Sequence, residues 1–347
     1  MRTHAKNAIS LALTLIWIWL GLPAFGNDSA ASVAVGGIQL KREARISMEK
    51  ERLTIAREKV TVEYEFLNST DEDITTEVAF PVPPYAENYL DASLGKGLDD
   101  FRVWVDGLET KYEIDVEAML NGVDYSGLLQ KLGVDVASLG HWTFSDDRNE
   151  PYSPDVEKLS QSQRDELKRL GLIRTDSGFA GWTAVKTYHW PQTFPAHKVV
   201  QVRHVYAPIL GYTWLQPEVV YPVPQRDRTP EFVQEIRDSC IDASLQQTLT
   251  AAARKEKKEE GGYIKTEWVD YILTTANSWK TPIKDFELIV ERPRPKSGLP
   301  ALPEAGQWFV SFCWDFPVKR LDADHFVAHT INFVPNRELR IAFFGVD

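Results

Sequence analysis

The chain has 347 residues, 26% of them charged and 43% hydrophobic, with a formal net charge of −11. That length suits two domains of ordinary size. The acidic balance repels phosphate backbones and anionic lipid, which argues against nucleic-acid and membrane-surface binding.

Residues 1–26 read as an export signal. Arg2, His4 and Lys6 make a basic start, Ala8 to Leu22 is mostly apolar, and Pro23-Ala-Phe-Gly26 places small residues where a signal peptidase reads. An uncleaved anchor is the alternative, but a span needs about 20 apolar residues and Pro23 cuts this run short. Asn27 rather than Cys follows the cut, which argues against a lipid-modified start. Loss of Arg2 and Lys6 leaves 37 basic residues against 50 acidic ones, a net charge of −13. The expected location is periplasmic or secreted, with no membrane attachment after signal removal.

Val60 to Pro84 reads as strand, polar turn, strand. Val60, Val62, Tyr64 and Phe66 alternate with Thr61, Glu63 and Glu65, the period of a strand with one buried face. Asn68 to Asp73 supplies turn chemistry, and Val78-Ala-Phe80 returns as a hairpin before Pro81 and Pro83 end the ladder. Phe101, Val103 and Val105 then share a face ahead of Asp106-Gly107, a strong hairpin cue with Lys111 to Val116 as the returning strand. Two short helices follow, Tyr125–Leu132 and Leu159–Leu170, each ending in a cation, an apolar residue and Gly. The second opens on a capping box of Ser160 and Gln163.

β structure resumes from Trp182, with alternation over Thr187–Phe194 and Val199–Tyr206. Thr229-Pro230-Glu231 starts a helix to about Asp238, and Asp242–Glu260 forms another stopped by Gly261. Strands return at 264–274, 285–291, 308–316, 325–333 and 339–344. Cys240 and Cys313 are an even pair in an oxidising compartment, which suggests one bridge; two buried thiols are the alternative. A bridge over that separation stabilises by about 4 kcal/mol on the chain-entropy model.

Three segments recur in order. Lys59–Phe66 resembles Lys198–Tyr206 with one insertion, Phe80-Pro-Val-Pro83 resembles Tyr221-Pro-Val-Pro224, and Asp100–Val105 resembles Asp285–Val290. The expected fold is mainly β: two β-sandwich-like units, read as a duplication, with short helical inserts, over 27–175 and 176–347. Any two strand-rich halves can share such fragments, so chance likeness is the alternative.

Four places carry a family resemblance: Asn27-Asp-Ser with Gly36-Gly37, the core from Val62 to Asn68 and Phe80 to Pro83, Trp190-Pro-Gln-Thr-Phe-Pro195, and Tyr271 to Trp279 leading to Phe312-Cys313. Together they resemble a bacterial family of exported proteins, domain-of-unknown-function family 4424. The resemblance implies a compartment and no activity. More distantly, Phe80–Pro83 with Phe101–Val105 looks like the vault/inter-alpha-trypsin type β-sandwich, a protein-interaction module. No Asp-x-Ser-x-Ser metal motif follows here.

Chemical motifs are sparse. There is no Gly-x-Ser-x-Gly elbow, glycine-rich phosphate loop or His-Glu-x-x-His. His325 and His329, four apart, with Asp324 beside them, are the metal candidates, since imidazole and carboxylate suit zinc; half-buried filler on a strand is the alternative. Asn68, Asp71 and Asp73 have spacings a calcium ion could use, though turns of this composition commonly cap their own backbone. Trp182, Trp190, Tyr212 and Trp214 crowd mid-chain as a candidate binding surface, against the alternative of core filling. The leading expectation is a non-enzymatic periplasmic binding or assembly module without cofactor, whose partner is an envelope protein or glycan. A divalent-metal-dependent hydrolase of an envelope substrate and a purely structural envelope protein are the alternatives.

Overall fold

The computed structural model describes residues 28–34, 37–86, 99–141, 152–174, 178–215, 230–255, 264–294 and 307–346. The export segment, Tyr221–Pro224 and residues 256–260 of the expected second late helix lie outside them. Strands β1 (Ser29–Ala34), β2 (Gly37–Lys41), β3 (Ile46–Ala56), β4 (Lys59–Asn68) and β5 (Ile74–Pro81) come first. Next are β6 (Asp99–Val105), β7 (Leu108–Thr110), β8 (Glu113–Leu120) and β9 (Val123–Asp124). Three short helices follow: α1 (Ser126–Lys131), α2 (Pro154–Glu157) and α3 (Gln161–Arg169). Then come β10 (Thr183–Phe194), β11 (Val199–Ala207), β12 (Leu210–Leu215), α4 (Pro230–Asp238) and α5 (Ala243–Lys255). The chain closes with β13 (Ile264–Tyr271), β14 (Ile283–Glu291), β15 (Gln307–Phe312), β16 (Val318–Arg320), β17 (His325–Phe333) and β18 (Leu339–Val346).

These strands form three sheets. The largest has eight strands in the order β16-β17-β14-β3-β4-β11-β6-β7; a six-stranded sheet runs β2-β1-β5-β10-β8-β9 and a four-stranded sheet β12-β13-β18-β15. One continuous core joins inward side chains of all three, among them Tyr64, Phe66, Phe80, Trp190, Phe286 and Phe343. The last strand shows how alternation divides the layers. Leu339, Ile341 and Phe343 face that core, whereas Ala342, Phe344 and Val346 pack beneath α4 and α5 with Ile241 and Leu249. A separate cluster under α1–α3 contains Leu129, Val156, Leu167 and Trp182. The fold is mainly β with short helices, as the periodicity predicts.

The predicted hairpin at Val60–Pro84 is instead an arch. β4 belongs to the eight-stranded sheet and β5 to the six-stranded one. The reason is that β4 presents Val60, Val62, Tyr64 and Phe66 inward, and β5 must cross the core to cover them. The buried Asn68 holds the crossing: its Nδ2 donates to the carbonyls of Glu72 and Phe194, both at 2.8 Å, and its Oδ1 accepts from Thr70 N and Oγ1. A second arch, from β10 to β11, lies against the first in the opposite sense. There β10 pairs with β5, Phe194 opposite Ile74, and β11 pairs with β4, Val199 opposite Leu67.

The likeness between Lys59–Phe66 and Lys198–Tyr206 thus becomes adjacency in one sheet. A boundary at residue 175 does not divide the sheets, because β10 sits between β5 and β8, and β11 between β4 and β6. The other hairpin turn forms as predicted at Asp106-Gly107, both with positive φ, the geometry of a two-residue turn. Its returning strand is Leu108–Thr110 rather than Lys111–Val116; Glu113 begins a strand of the other sheet. Both predicted late helices are present, and the capping box at Ser160 and Gln163 is complete.

Candidate binding groove

The outer face of the eight-stranded sheet follows from the same alternation. With even residues of β4 inward, Glu63 and Glu65 point to solvent; a bulge at Met48/Lys50 sets Lys50 and Arg52 outward and Glu51 inward on β3. On β11 the outward residues include Gln201 and Arg203, and on β6 they are Arg102 and Trp104. Register then aligns a row across seven strands: His329, Glu287, Arg52, Glu63, Arg203, Trp104 and Glu109. A second row runs Ile331, Asp285, Lys50, Glu65 and Gln201.

Between these rows lies an open groove of about 440 Å³, lined by Lys50, Arg52, Glu63, Glu65, Trp104 and Arg203, with Gln201 and Gly107 at its end. Trp104 is half-buried, and the guanidinium carbons of Arg102 and Arg203 lie 4.8 and 5.2 Å from its ring centroid. Such contacts are worth about 0.5–1 kcal/mol each at exposed sites and fix the indole. The Asp106-Gly107 turn anchors the groove's end: Asp106 N donates to Gln201 O at 2.8 Å, and Gln201 N donates to Asp106 Oδ1 at 2.9 Å.

Several charges on this face are paired. Arg52 Nε meets Glu287 Oε1 at 2.5 Å, Arg102 holds Glu109 in a two-pronged contact at 2.8 Å, and Arg203 stands more loosely, 3.7 Å from Glu63. The Arg102 hydrogen bonds hold the Glu109 carboxyl below its usual range. Carboxylate acceptors and ammonium, guanidinium or amide donors therefore alternate from Glu287 to Arg203 in the first row and from Asp285 to Gln201 in the second.

The candidate surface of Trp182, Trp190, Tyr212 and Trp214 does not assemble. Trp182 and Trp190 are both 0% exposed, the first donating Nε1 to Val136 O beneath the helices, the second packed against His204. They fill core, which corrects the sequence expectation. Tyr212 is half-buried on the edge strand β12, with Lys265 Nζ 5.3 Å from its ring, and the side chain of Trp214 lies outside the described residues. Trp104 was legible all the same: once Phe101, Val103 and Val105 are placed inward, Arg102 and Trp104 must point out.

The metal candidates also separate. His325 and His329 share a strand face, but His325 Nδ1 contacts Asp322, 2.7 Å from Oδ2, and His329 Nε2 contacts Asp285 Oδ1 at 2.7 Å. Asp324 is committed to Arg292 and Arg294, whose hydrogen bonds hold its carboxyl below the ordinary range. Among the described residues no group of three His, Cys, Asp or Glu is placed to hold a metal ion. In the acidic turn, Asp71 meets His197 Nε2 at 2.9 Å and Asp73 accepts from Ala196 N at 2.8 Å, so these oxygens tie the two arches together. Cys240 and Cys313 form the expected disulfide, with Cα atoms 5.3 Å apart.

A second polar cluster is sealed inside the core. Asp28, Glu51 and His204 are each 0% exposed, His204 Nε2 lies 3.5 Å from Asp28 Oδ1, and the Tyr64 and Tyr271 hydroxyls are 3.1 Å apart. Tyr64, Phe80, Phe101 and Trp190 surround the imidazole with ring centroids 5.0–5.5 Å away. Nothing in the sequence announces this cluster, because Asp28 reads as a tail residue and Glu51 as one charge among several on β3.

The architecture is that of a mainly β, sandwich-like protein carrying a polar groove on one sheet face. The chain belongs to the family described as "Domain of unknown function (DUF4424)", whose model matches residues 26–342. No curated protein matches it. Among solved structures it is similar to a Legionella pneumophila protein described as a candidate nutrient binding protein, at 12% identity over 92% of this chain and 70% of that one, TM-score 0.42. It is also similar to an M1 zinc metallopeptidase from Deinococcus radiodurans, at 9% identity and TM-score 0.24, and to a two-domain M1 zinc metallopeptidase bound to L-arginine, at 7% and 0.25. Each of these covers 87% of this chain, which spans 43% of their length. Scores this low carry no argument about activity.

Proposed function

We propose that this protein is an exported, non-enzymatic binding module whose sheet-face groove takes a polyhydroxylated ligand, a glycan of the cell envelope. The observation that carries the reading is Trp104, an indole held half-exposed by two guanidinium groups inside a lattice of alternating donors and acceptors. A hydroxyl both donates and accepts, so a sugar can satisfy Lys50 or Gln201 and Glu63 or Glu65 at once. A simple anion would be repelled by those carboxylates, an apolar molecule needs an apolar lining, and an added peptide strand takes a sheet edge rather than a face. The disulfide supports an oxidising compartment.

Titration calorimetry of the mature protein against envelope oligosaccharides is the test. Binding is expected, and Trp104→Ala is expected to weaken it by about tenfold, a loss of roughly 1–2 kcal/mol. Unchanged affinity in Trp104→Ala, or no binding to any glycan offered, overturns the reading. No observation favours the metal-dependent hydrolase over this one.

A further inference from the structure

The sealed cluster shares only Tyr64 with the lining of the groove, and its five groups come from five elements. Asp28 stands at the head of β1, Glu51 on β3 opposite Tyr64 of β4, His204 on β11 and Tyr271 on β13. β11 also turns Tyr206 inward, while β5, β6 and β10 contribute Phe80, Phe101 and Trp190, which do not titrate. Two carboxyl groups and an imidazole thus share a region with no solvent exposure, where separate charges are costly. We propose that Asp28 keeps its carboxyl proton beside a neutral His204, so that the two together are uncharged, and that losing that proton in alkaline solution unlatches the N-terminal strand.

The geometry explains why β1 is the part released. Its ladder to β5 runs only from Ser29 to Ala31, and its head is fastened by Trp279 Nε1 donating to Asp28 O at 2.7 Å and by Ser29 Oγ 2.9 Å from Ser278 Oγ. An ionised Asp28 faces Glu51 in a region closed to solvent, and that repulsion acts at the head of β1.

The direction of the pH effect follows from proton counting. In an unfolded chain Asp28 titrates near about 3.9 and His204 near about 6.5. In the fold, burial first and the nearby Glu51 second hold the Asp28 carboxyl well above its usual range. Burial pushes the His204 imidazole down to about 3. From about pH 4 to about 6.5 both states carry one proton on the pair, on the imidazole when unfolded and on the carboxyl when folded, so the pair gives no slope. On this proposal the folded carboxyl still holds its proton above about pH 6.5, where the unfolded imidazole is bare, and stability falls as pH rises until that carboxyl ionises.

Denaturant unfolding of the mature protein between pH 4.5 and 9, with hydrogen exchange over residues 29–31, tests this. The unfolding constant is expected to rise above about pH 6.5 by up to about tenfold per pH unit, the signature of one proton, and exchange at 29–31 to accelerate before the rest. Asp28→Asn should abolish the alkaline fall, and His204→Gln should move its onset down to about pH 4. A wild-type profile level above pH 6.5, an Asp28→Asn profile parallel to it, or uniform exchange overturns the proposal. If Asp28→Asn does not fold, an unchanged onset in His204→Gln overturns it.

Discussion

At the scale of single residues, Asn68 is where one side chain does most. It satisfies the carbonyls of Glu72 and Phe194 and receives Thr70, all at the point where the chain crosses between sheets. Asn68→Ala takes the amide from the buried Phe194 carbonyl, while Glu72 O keeps Thr70 Oγ1, so urea denaturation should show a loss of about 1–3 kcal/mol. Asp71→Ala removes an exposed contact to His197, with side chains 96% and 62% accessible, and should change stability by less than about 0.5 kcal/mol. The sequence showed both as turn residues of one kind. It could not rank them, because each meets a partner 126 positions away and the difference lies in burial, the Asn68 contact inside and the Asp71 contact on the surface. Outward residues were more readable: strand alternation alone puts Trp104 and Arg203 on solvent, and only their register, set by a distant pairing, was hidden.

Elements were legible in proportion to how local their signals are. The capping box at Ser160 is complete within four residues of sequence, and Ser160→Ala should cost about 1 kcal/mol, read as a shift in thermal midpoint. The strand β12 depends instead on a neighbour. Gly211 lies opposite Trp268 on β13, and a Cβ there would run into the indole ring. Gly211→Ala should therefore displace that ring and destabilise the edge by about 1–3 kcal/mol, seen as lower denaturation midpoint with faster exchange over β12. Nothing near Gly211 in the sequence signals this, since the ring that forbids a side chain is on another strand. The hairpin reading of β4 and β5 failed for a related reason: alternation fixes which face is buried and says nothing about whether the next strand joins the same sheet.

The whole molecule is not two modules in series. Strands β10 and β11, from the second half, are inserted between strands of the first half in two sheets at once. Expression of 27–175 alone should then give no cooperative unfolding transition, whereas two independent sandwiches would yield one for each half. Reduction of the Cys240–Cys313 bridge, which ties the β15 end to α4, should lower stability by up to about 4 kcal/mol, measured as the shift in midpoint with and without reductant. Composition and periodicity gave the mainly β class, but the interleaving arises from pairings far apart in sequence, which no local pattern encodes.

Among the described residues, the one parallel strand pairing in the large sheet, β14 beside β3, has a consequence for how the protein is made. Arg52 and Glu287 bond across it with 235 residues between them. Until β14 has emerged, β3 shows an unpaired edge and the carboxyl of Glu51 has no roof of late strands above it. A chain delivered from its N-terminus must therefore wait, with open ladders, for nearly its whole length. Its time of greatest exposure to wrong partners is set by the arrival of its last quarter, and a stalled or shortened product is a template for aggregation rather than a smaller working protein.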